Sequence, residues 1–250
     1  MIRAVAACIT QIQLAAMMLT RLPAGRLHAP APSLAQAAWA FPLVGLVVGL
    51  FAALTGMGAA AVGLPAPMAA GLALVVQIMI TGALHEDGLA DLCDGFWGGQ
   101  TPARRLEIMR DSAIGSYGTL ALIASIGLRW QALIIIAQAD IWPVLLSVGA
   151  VSRLGPVLLM GLMLPARDDG MGHSARAKLS PRSAIAWVLG MIAGLALPDP
   201  TLALACAVIA IAATGALARR KIGGQTGDVL GASQQFSEIA LLCAICVSVT

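Results

Sequence analysis

Charge is scarce in this chain. Only 11% of its 250 residues are Asp, Glu, Lys or Arg, where a soluble domain carries about 25%. With 59% of residues hydrophobic, the composition does not suit a water-soluble protein and does suit a polytopic membrane protein. Strand-like alternation of polar and apolar residues is also missing, which argues against a membrane β-barrel. A net charge of only +3 gives no footprint for nucleic acid. The five cysteines (Cys8, Cys93, Cys206, Cys243, Cys246) make no disulfide framework. Cys243 and Cys246 have CxxC spacing but no partner pair, and read as small packing residues. A cleavable leader is not expected either. Gln11 and Gln13 interrupt the first apolar run, and no small-x-small site follows it. That segment reads as an interfacial or re-entrant helix.

What is present is a series of apolar runs. A crossing helix needs roughly 20 such residues. Seven spans are expected, at about 34–63, 67–84, 116–137, 141–164, 183–197, 201–217 and 229–249. The connections alternate in character. Segments 21–33, 85–115, 165–182 and 218–228 hold twelve of the fifteen basic residues, so by the positive-inside rule they face the cytoplasm. The expected fold is therefore all-α: one helical membrane domain over residues 1–250, with an N-terminal interfacial helix and short cytoplasmic helices. Two arginines fall at membrane depth, where an Arg costs about 2.5–3.5 kcal/mol on insertion scales. Arg153 reads as functional, with Glu238 as a partner. Arg129 reads as snorkelling toward the outer interface.

The acids are not spread evenly. Four of the twelve lie within 85-HEDGLADLCDGF-96. Asp87, Asp91 and Asp94 are spaced i, i+4, i+7, which puts them within about 60° of arc on a helix. Glu86 lies about 100° away from the stripe. Like charges stacked this way repel, so the stripe calls for Arg, Lys or a divalent cation. Magnesium suits oxygen-only carboxylate sites and keeps room for phosphate in its shell. Downstream, 101-TPARRLEIMRDSAIGSYG-118 is expected to form a second short helix with Arg104, Glu107 and Asp111 on one face. Arg104, Arg105 and Arg110 would meet phosphate charge. The plainer reading of such acids is a solvated face. His85 fits a base, a ligand or an interfacial polar residue.

These residues resemble the cobalamin synthase family, adenosylcobinamide-GDP ribazoletransferase. The resemblance rests on 81-TGALHEDGLADLCDGFWGG-99 and 106-LEIMRDSAIGSYG-118. Further matches are 20-TRLP-23, Ser152–Arg153 and 223-GGQTGDVLGA-232, in the expected order over nearly the whole chain. It implies a multipass, magnesium-dependent enzyme of the bacterial cytoplasmic membrane, with its active site facing the cytoplasm. The reaction would join adenosylcobinamide-GDP to α-ribazole or its 5′-phosphate and release GMP. One departure is Ala113, where the family often has a basic residue.

The implied site follows from these motifs. Asp87, Asp91, Asp94, Asp111 and Asp228 are the candidate metal ligands. His85, Asp91, Asp111 and Arg153 are the candidate catalytic groups. Arg21, Arg104, Arg110, Gly223, Gly224, Thr226 and Gly227 are the candidate substrate contacts, the last four because N–H groups at a helix start attract phosphate. Asp228 would reach the metal or cap its own helix. The loop 165–182 would close over the nucleotide or merely connect spans. Homo-oligomers, and association with other enzymes of the pathway, stay open. The rivals are a membrane phosphotransferase of the CDP-alcohol type and a cation transporter. The first begins DGxxAR where this chain has DGLAD. The second would spread acids through several spans.

Overall fold

A computed structural model describes residues 2–27, 31–167 and 180–250. Among these the regular structure is helical, apart from an isolated bridge pairing Pro165 with Gln225. The helices are α1 (Ile2–Leu19), α2 (Leu34–Ala37), α3 (Phe41–Ala61), α4 (Ala66–Thr81), α5 (Leu84–Gly98) and α6 (Pro102–Ile108). They continue with α7 (Ser116–Gln138), α8 (Val144–Ser152), α9 (Leu154–Leu162), α10 (Ser183–Leu195), α11 (Pro200–Ile222) and α12 (Gly227–Val249).

The expected seven spans become five or six. Leu34–Ala61, Ser116–Gln138, Val144–Leu162, Pro200–Ile222 and Gly227–Val249 are each long and apolar enough to cross a membrane. The helices α4 and α5 supply a sixth only as a pair, bent by 84°. The expected span at 183–197 is α10, whose 13 residues reach roughly 20 Å, short of about 30 Å of hydrocarbon. The chain is a multi-pass membrane protein.

The bundle closes tightly where residues are small. A Cβ on Gly45 would lie 2.1 Å from the Gly149 carbonyl oxygen, and one on Gly49 would lie 2.1 Å from that of Leu145. These two glycines are four apart on α3, so they form the small-xxx-small seam that lets membrane helices approach backbone to backbone. The helices α8, α9 and α12 are central, while α7 and α11 turn large parts of their surface outward. Leu120, Ile123 and Leu128 on α7 are among the exposed apolar residues, as expected of a face meeting lipid rather than water.

The elbow between α4 and α5 positions the site. Gly82 ends α4 at φ +63° and Ala83 follows at φ +57°. Glycine takes the left-handed region freely, while alanine there costs about 1–2 kcal/mol. The two residues swing the chain from the apolar limb α4 into the polar limb α5. The polar limb α5 carries four carboxylates, Glu86, Asp87, Asp91 and Asp94. Arg21 braces the turn: its N–H donates to the Ile80 carbonyl at 2.6 Å, and its side chain fills the space beside Gly82.

Candidate active site

Three close approaches bring the acids together. The first is Gly88, where a Cβ would come within 3.0 Å of the Asp228 carbonyl and 3.3 Å of the Gly231 Cα. Only a residue without a side chain lets α5 lie directly on the first turns of α12. The second is Gly95, where Met109 occupies the place of a side chain. Met109 is buried, and this contact lays the 109–115 segment back across α5. The third is Asp94. Its Oδ2 accepts from the Gly115 N–H at 2.7 Å and its Oδ1 from the Gly118 N–H at 2.9 Å. That carboxylate caps the start of α7, whose own N-cap residue is a glycine with no side chain to offer.

Between α5 and the 109–115 segment lies a cleft of about 440 Å³, lined by Asp87, Asp91, Asp111, Arg110, Ser112 and the inner face of Glu86, among others. Asp87 and Asp91 therefore share a surface with Asp111, as the spacing led us to expect. The route differs. The helix α6 ends at Ile108, so Asp111 does not continue its face. It stands on the turn beyond, where its Oδ1 accepts from the Ala113 N–H at 3.1 Å. Arg104 pairs with Glu107 at 2.8 Å on the exposed face of α6.

The electrostatics of the cleft centre on Asp91. Burial first, then the carboxylates of Asp87, Asp228 and Asp94, push its pKa up to about 7, against a smaller opposing effect of Arg167. All of the donors here are hard oxygens, which fits magnesium rather than a softer metal. Among the described residues no group of three or more His, Cys, Asp or Glu side chains is already placed to hold a metal ion.

The loop before α12 is built by close packing and capping. Gly223 caps α11 in the left-handed region at φ +78°. A Cβ on Gly224 would strike the Leu164 carbonyl oxygen at 2.4 Å. The Gln225 N–H donates to Leu164 O at 2.9 Å, and the Ala166 N–H to Gln225 O at 2.8 Å. Thr226 Oγ1 accepts from the Val229 N–H at 3.3 Å and bonds Asp228 Oδ2 at 3.1 Å. Arg167 adds an ion pair to Asp228 at 3.6 Å. Asp228 thus stands at a helix start, beside Gly227, within electrostatic reach of Asp87 and Asp91. The closing role weighed for the 165–182 loop falls largely on residues 168–179, outside the described residues.

His85 is not in the acidic cleft. On a helix it stands about 200° from Asp87, and it lines a separate, mainly apolar pocket with Leu19, Leu34, Phe41, Pro156 and Leu230. It is buried and its Nε2 has no hydrogen-bond partner. Burial, then Arg153 and Arg129, lower its pKa well below the ordinary value.

The two deep arginines correct the sequence reading. Arg129 does not snorkel outward. It is 1% exposed, and it bonds Glu86 Oε1 at 2.6 Å and Glu238 Oε1 at 3.1 Å. Glu238 therefore bonds Arg129 directly and faces Arg153 only through its charge. Arg153 is equally buried and donates from Nη1 to the Gly149 carbonyl at 2.8 Å. Glu86, which points away from the acidic stripe, is drawn into the interior. Gln77 and Gln234 join Glu238 at 2.7 and 2.5 Å. Gln235 joins Glu86 at 3.2 Å. Sequence reasoning missed these glutamines. Their signal was the Gln234–Glu238 i,i+4 pair inside an apolar span.

Residues 11–246 match the family described as cobalamin-5-phosphate synthase. A relative from Bradyrhizobium diazoefficiens, named adenosylcobinamide-GDP ribazoletransferase, is 46% identical over 241 residues, covering 94% of this chain and 92% of that protein. A relative of the same name from Mesorhizobium japonicum is 43% identical over 243 residues, covering 96% and 93%. One from Chlorobaculum tepidum is 40% identical over 208 residues, covering 80% and 82%. No solved structure matches the chain.

Proposed function

The chain belongs to the cobalamin-5-phosphate synthase family, and from that premise we propose that it joins adenosylcobinamide-GDP to α-ribazole or its 5′-phosphate. The ribazole 3′-hydroxyl oxygen bonds to the phosphorus that carries cobinamide. The bond from that phosphorus to the bridging oxygen breaks, and GMP leaves. The product is adenosylcobalamin or its 5′-phosphate. The observation that carries this reading to a site is the cleft that Asp87, Asp91 and Asp111 line together with Arg110.

Asp87 and Asp91 would hold magnesium, with Asp111 and Asp228 as further ligands. Bound there, the ion supplies charge neutralisation for the pyrophosphate and for leaving GMP. Arg110 at the cleft wall and Arg21 beside the elbow would meet the remaining phosphate charge. A cleft carboxylate, rather than His85, would take the hydroxyl proton, because His85 faces the apolar pocket. Asp94 would serve the site by fixing α7, since both its oxygens are engaged by backbone N–H groups. Arg153, fully buried, would act on the site through its field rather than by touching phosphate. The cleft would open to the cytoplasm at the inner membrane, as the basic connections favour. The family match and the relatives' names favour this reaction over the CDP-alcohol and transporter readings.

The test is direct. Purified protein is incubated with adenosylcobinamide-GDP, α-ribazole and magnesium, and GMP is measured. The reading requires release that depends on both substrates and on the metal. Release without ribazole, or undiminished release after chelation, would sink it.

A further inference from the structure

Glu86 precedes Asp87 in the chain and joins the cleft to the buried interior. It is 5% exposed, and its Oε1 receives Arg129 Nη1 at 2.6 Å and Gln235 Nε2 at 3.2 Å. The same guanidinium reaches Glu238 through Nε at 3.1 Å. One arginine of α7 therefore holds a carboxylate of α5 and a carboxylate of α12 in a single fork. Ser125 of α7 steadies Gln235 at 2.9 Å, and Gln235 bonds Gln234 at 3.1 Å. Gln234 reaches Ser152 of α8 at 3.1 Å.

We propose that Arg129 is a positioning residue for the acidic cleft, setting the rotation of α5 about its own axis and so the direction in which Asp87 and Asp91 project. This rests on the reading of the cleft as the metal site. The geometry of α5 gives the reason. Its first turn follows two residues of positive φ, and its N-cap, Ala83, makes no side-chain cap. That turn is tethered by Glu86. The far end of the helix is tethered separately, through Asp94 to Gly115 and Gly118. A helix is rigid about its axis, so fixing the bearing of Glu86 fixes that of Asp87 about 100° around it, and that of Asp91 with it. The Gly88 contact sets how near α5 comes to α12 but, having no side chain, leaves rotation freer.

Arginine suits the task and lysine does not. The two carboxylates meet two different nitrogens of one planar group, a fork that an ammonium on a flexible stem does not reproduce. The local charges also balance. Arg129 and Arg153 stand against Glu86 and Glu238, all four buried. Removing one charge strands its partners in a medium of low dielectric, while removing a matched pair does not.

The experiment uses the full chain in detergent, with manganese as a spin probe for the metal. Manganese affinity by electron paramagnetic resonance, thermal melting and magnesium-dependent GMP release are measured together. The variants are Arg129→Lys, Arg129→Gln and the matched pair Glu86→Gln with Arg129→Gln. In the matched pair, melting returns toward wild type because Glu238 and Arg153 still balance. Manganese affinity stays down about tenfold, the scale seen when groups supporting metal ligands are removed. Arg129→Lys melts near wild type and shows the same loss of affinity. A matched pair that recovers both melting and affinity makes Arg129 merely structural and overturns the proposal. Should the matched pair not fold, wild-type affinity in Arg129→Lys overturns it as well. A wild-type protein that binds no manganese removes the metal reading and this inference with it. Binding by wild type and undiminished binding by Arg129→Lys removes the inference alone.

Discussion

Asp94 Oδ2 accepts a hydrogen bond from the Gly115 backbone at 2.7 Å, which ties the end of the acidic helix to the start of α7. The partner oxygen takes the Gly118 N–H. This divides the stripe Asp87, Asp91, Asp94 into two tasks. The first two residues line the cleft, and the third holds its wall.

Asp94→Ala is therefore expected to act on stability first. Losing a cap costs typically about 1 kcal/mol, and two N–H groups near the protein interior lose their acceptor. The 109–115 segment, which carries Asp111, should loosen with α7. Limited proteolysis after Arg110 should accelerate, and the melting temperature should fall. Unchanged melting with full loss of turnover would return Asp94 to the metal-ligand role.

Asp91→Asn is expected to do the reverse. GMP release should vanish while membrane insertion and melting persist, because the change removes a repelled charge rather than a bonded one. Near-normal turnover in this variant would sink the metal assignment.

The pH dependence of stability follows from the same residue. Asp91 neutralises near pH 7 in the folded protein and at about 3.9 in an unfolded chain. Between those values the folded state holds more protons than the unfolded state, so stability falls as pH rises from about 4 to about 7. Below that window the contribution is fully present, and above it the loss is complete. Half of the group is open to solvent, so the effect is screened. The melting temperature in chelator should drop across this window, and saturating magnesium should flatten the slope. Asp91→Asn should flatten it without metal. An equal slope in that variant would place the titrating group elsewhere.

The helical class and the acidic stripe were legible because each is a matter of local spacing, whereas Asp111 reaches the same cleft from the turn beyond α6 and not from its face. What was not legible depends on long-range contact. Arg129 read as a snorkelling residue because its partners, Glu86 and Glu238, lie 43 and 109 positions away. His85 read as a base, a ligand or an interfacial polar residue, and only the packing of other helices around it shows the apolar pocket that it lines. The number of spans was overstated because the apolar runs at 67–84 and 183–197 form helices of only 16 and 13 residues, too short to cross alone. Asp94 resembled its stripe-mates until the glycine at the start of α7 was seen to need an acceptor.

Ala83→Gly examines the elbow. Glycine takes φ +57° without the steric penalty that alanine bears. If the bend is held against that strain by Arg21 and the bundle, the variant should melt at a higher temperature, by up to about 1 kcal/mol of added stability after the entropy of the glycine is counted. A drop in melting temperature would mean that Ala83 is held by contacts of its methyl group.

Gly88 and Gly231 face each other across α5 and α12, and their substitution should give unequal results. A Cβ on Gly88 would meet backbone atoms at 3.0 to 3.3 Å, the Asp228 carbonyl among them, and backbone does not swing aside. One on Gly231 would meet nothing nearer than 3.5 Å, which is ordinary contact. Gly88→Ala should therefore push α5 off α12, part Asp228 from Asp87 and Asp91, and weaken manganese binding along with GMP release. Gly231→Ala should leave both nearly unchanged and add a little helix propensity, at most about 1 kcal/mol. Measuring the two variants side by side separates a metal site that spans α5 and α12 from one confined to α5 and the 109–115 turn. In the second case Gly88→Ala would lower melting but spare the affinity for metal, and Asp228 would be left as the cap of its own helix.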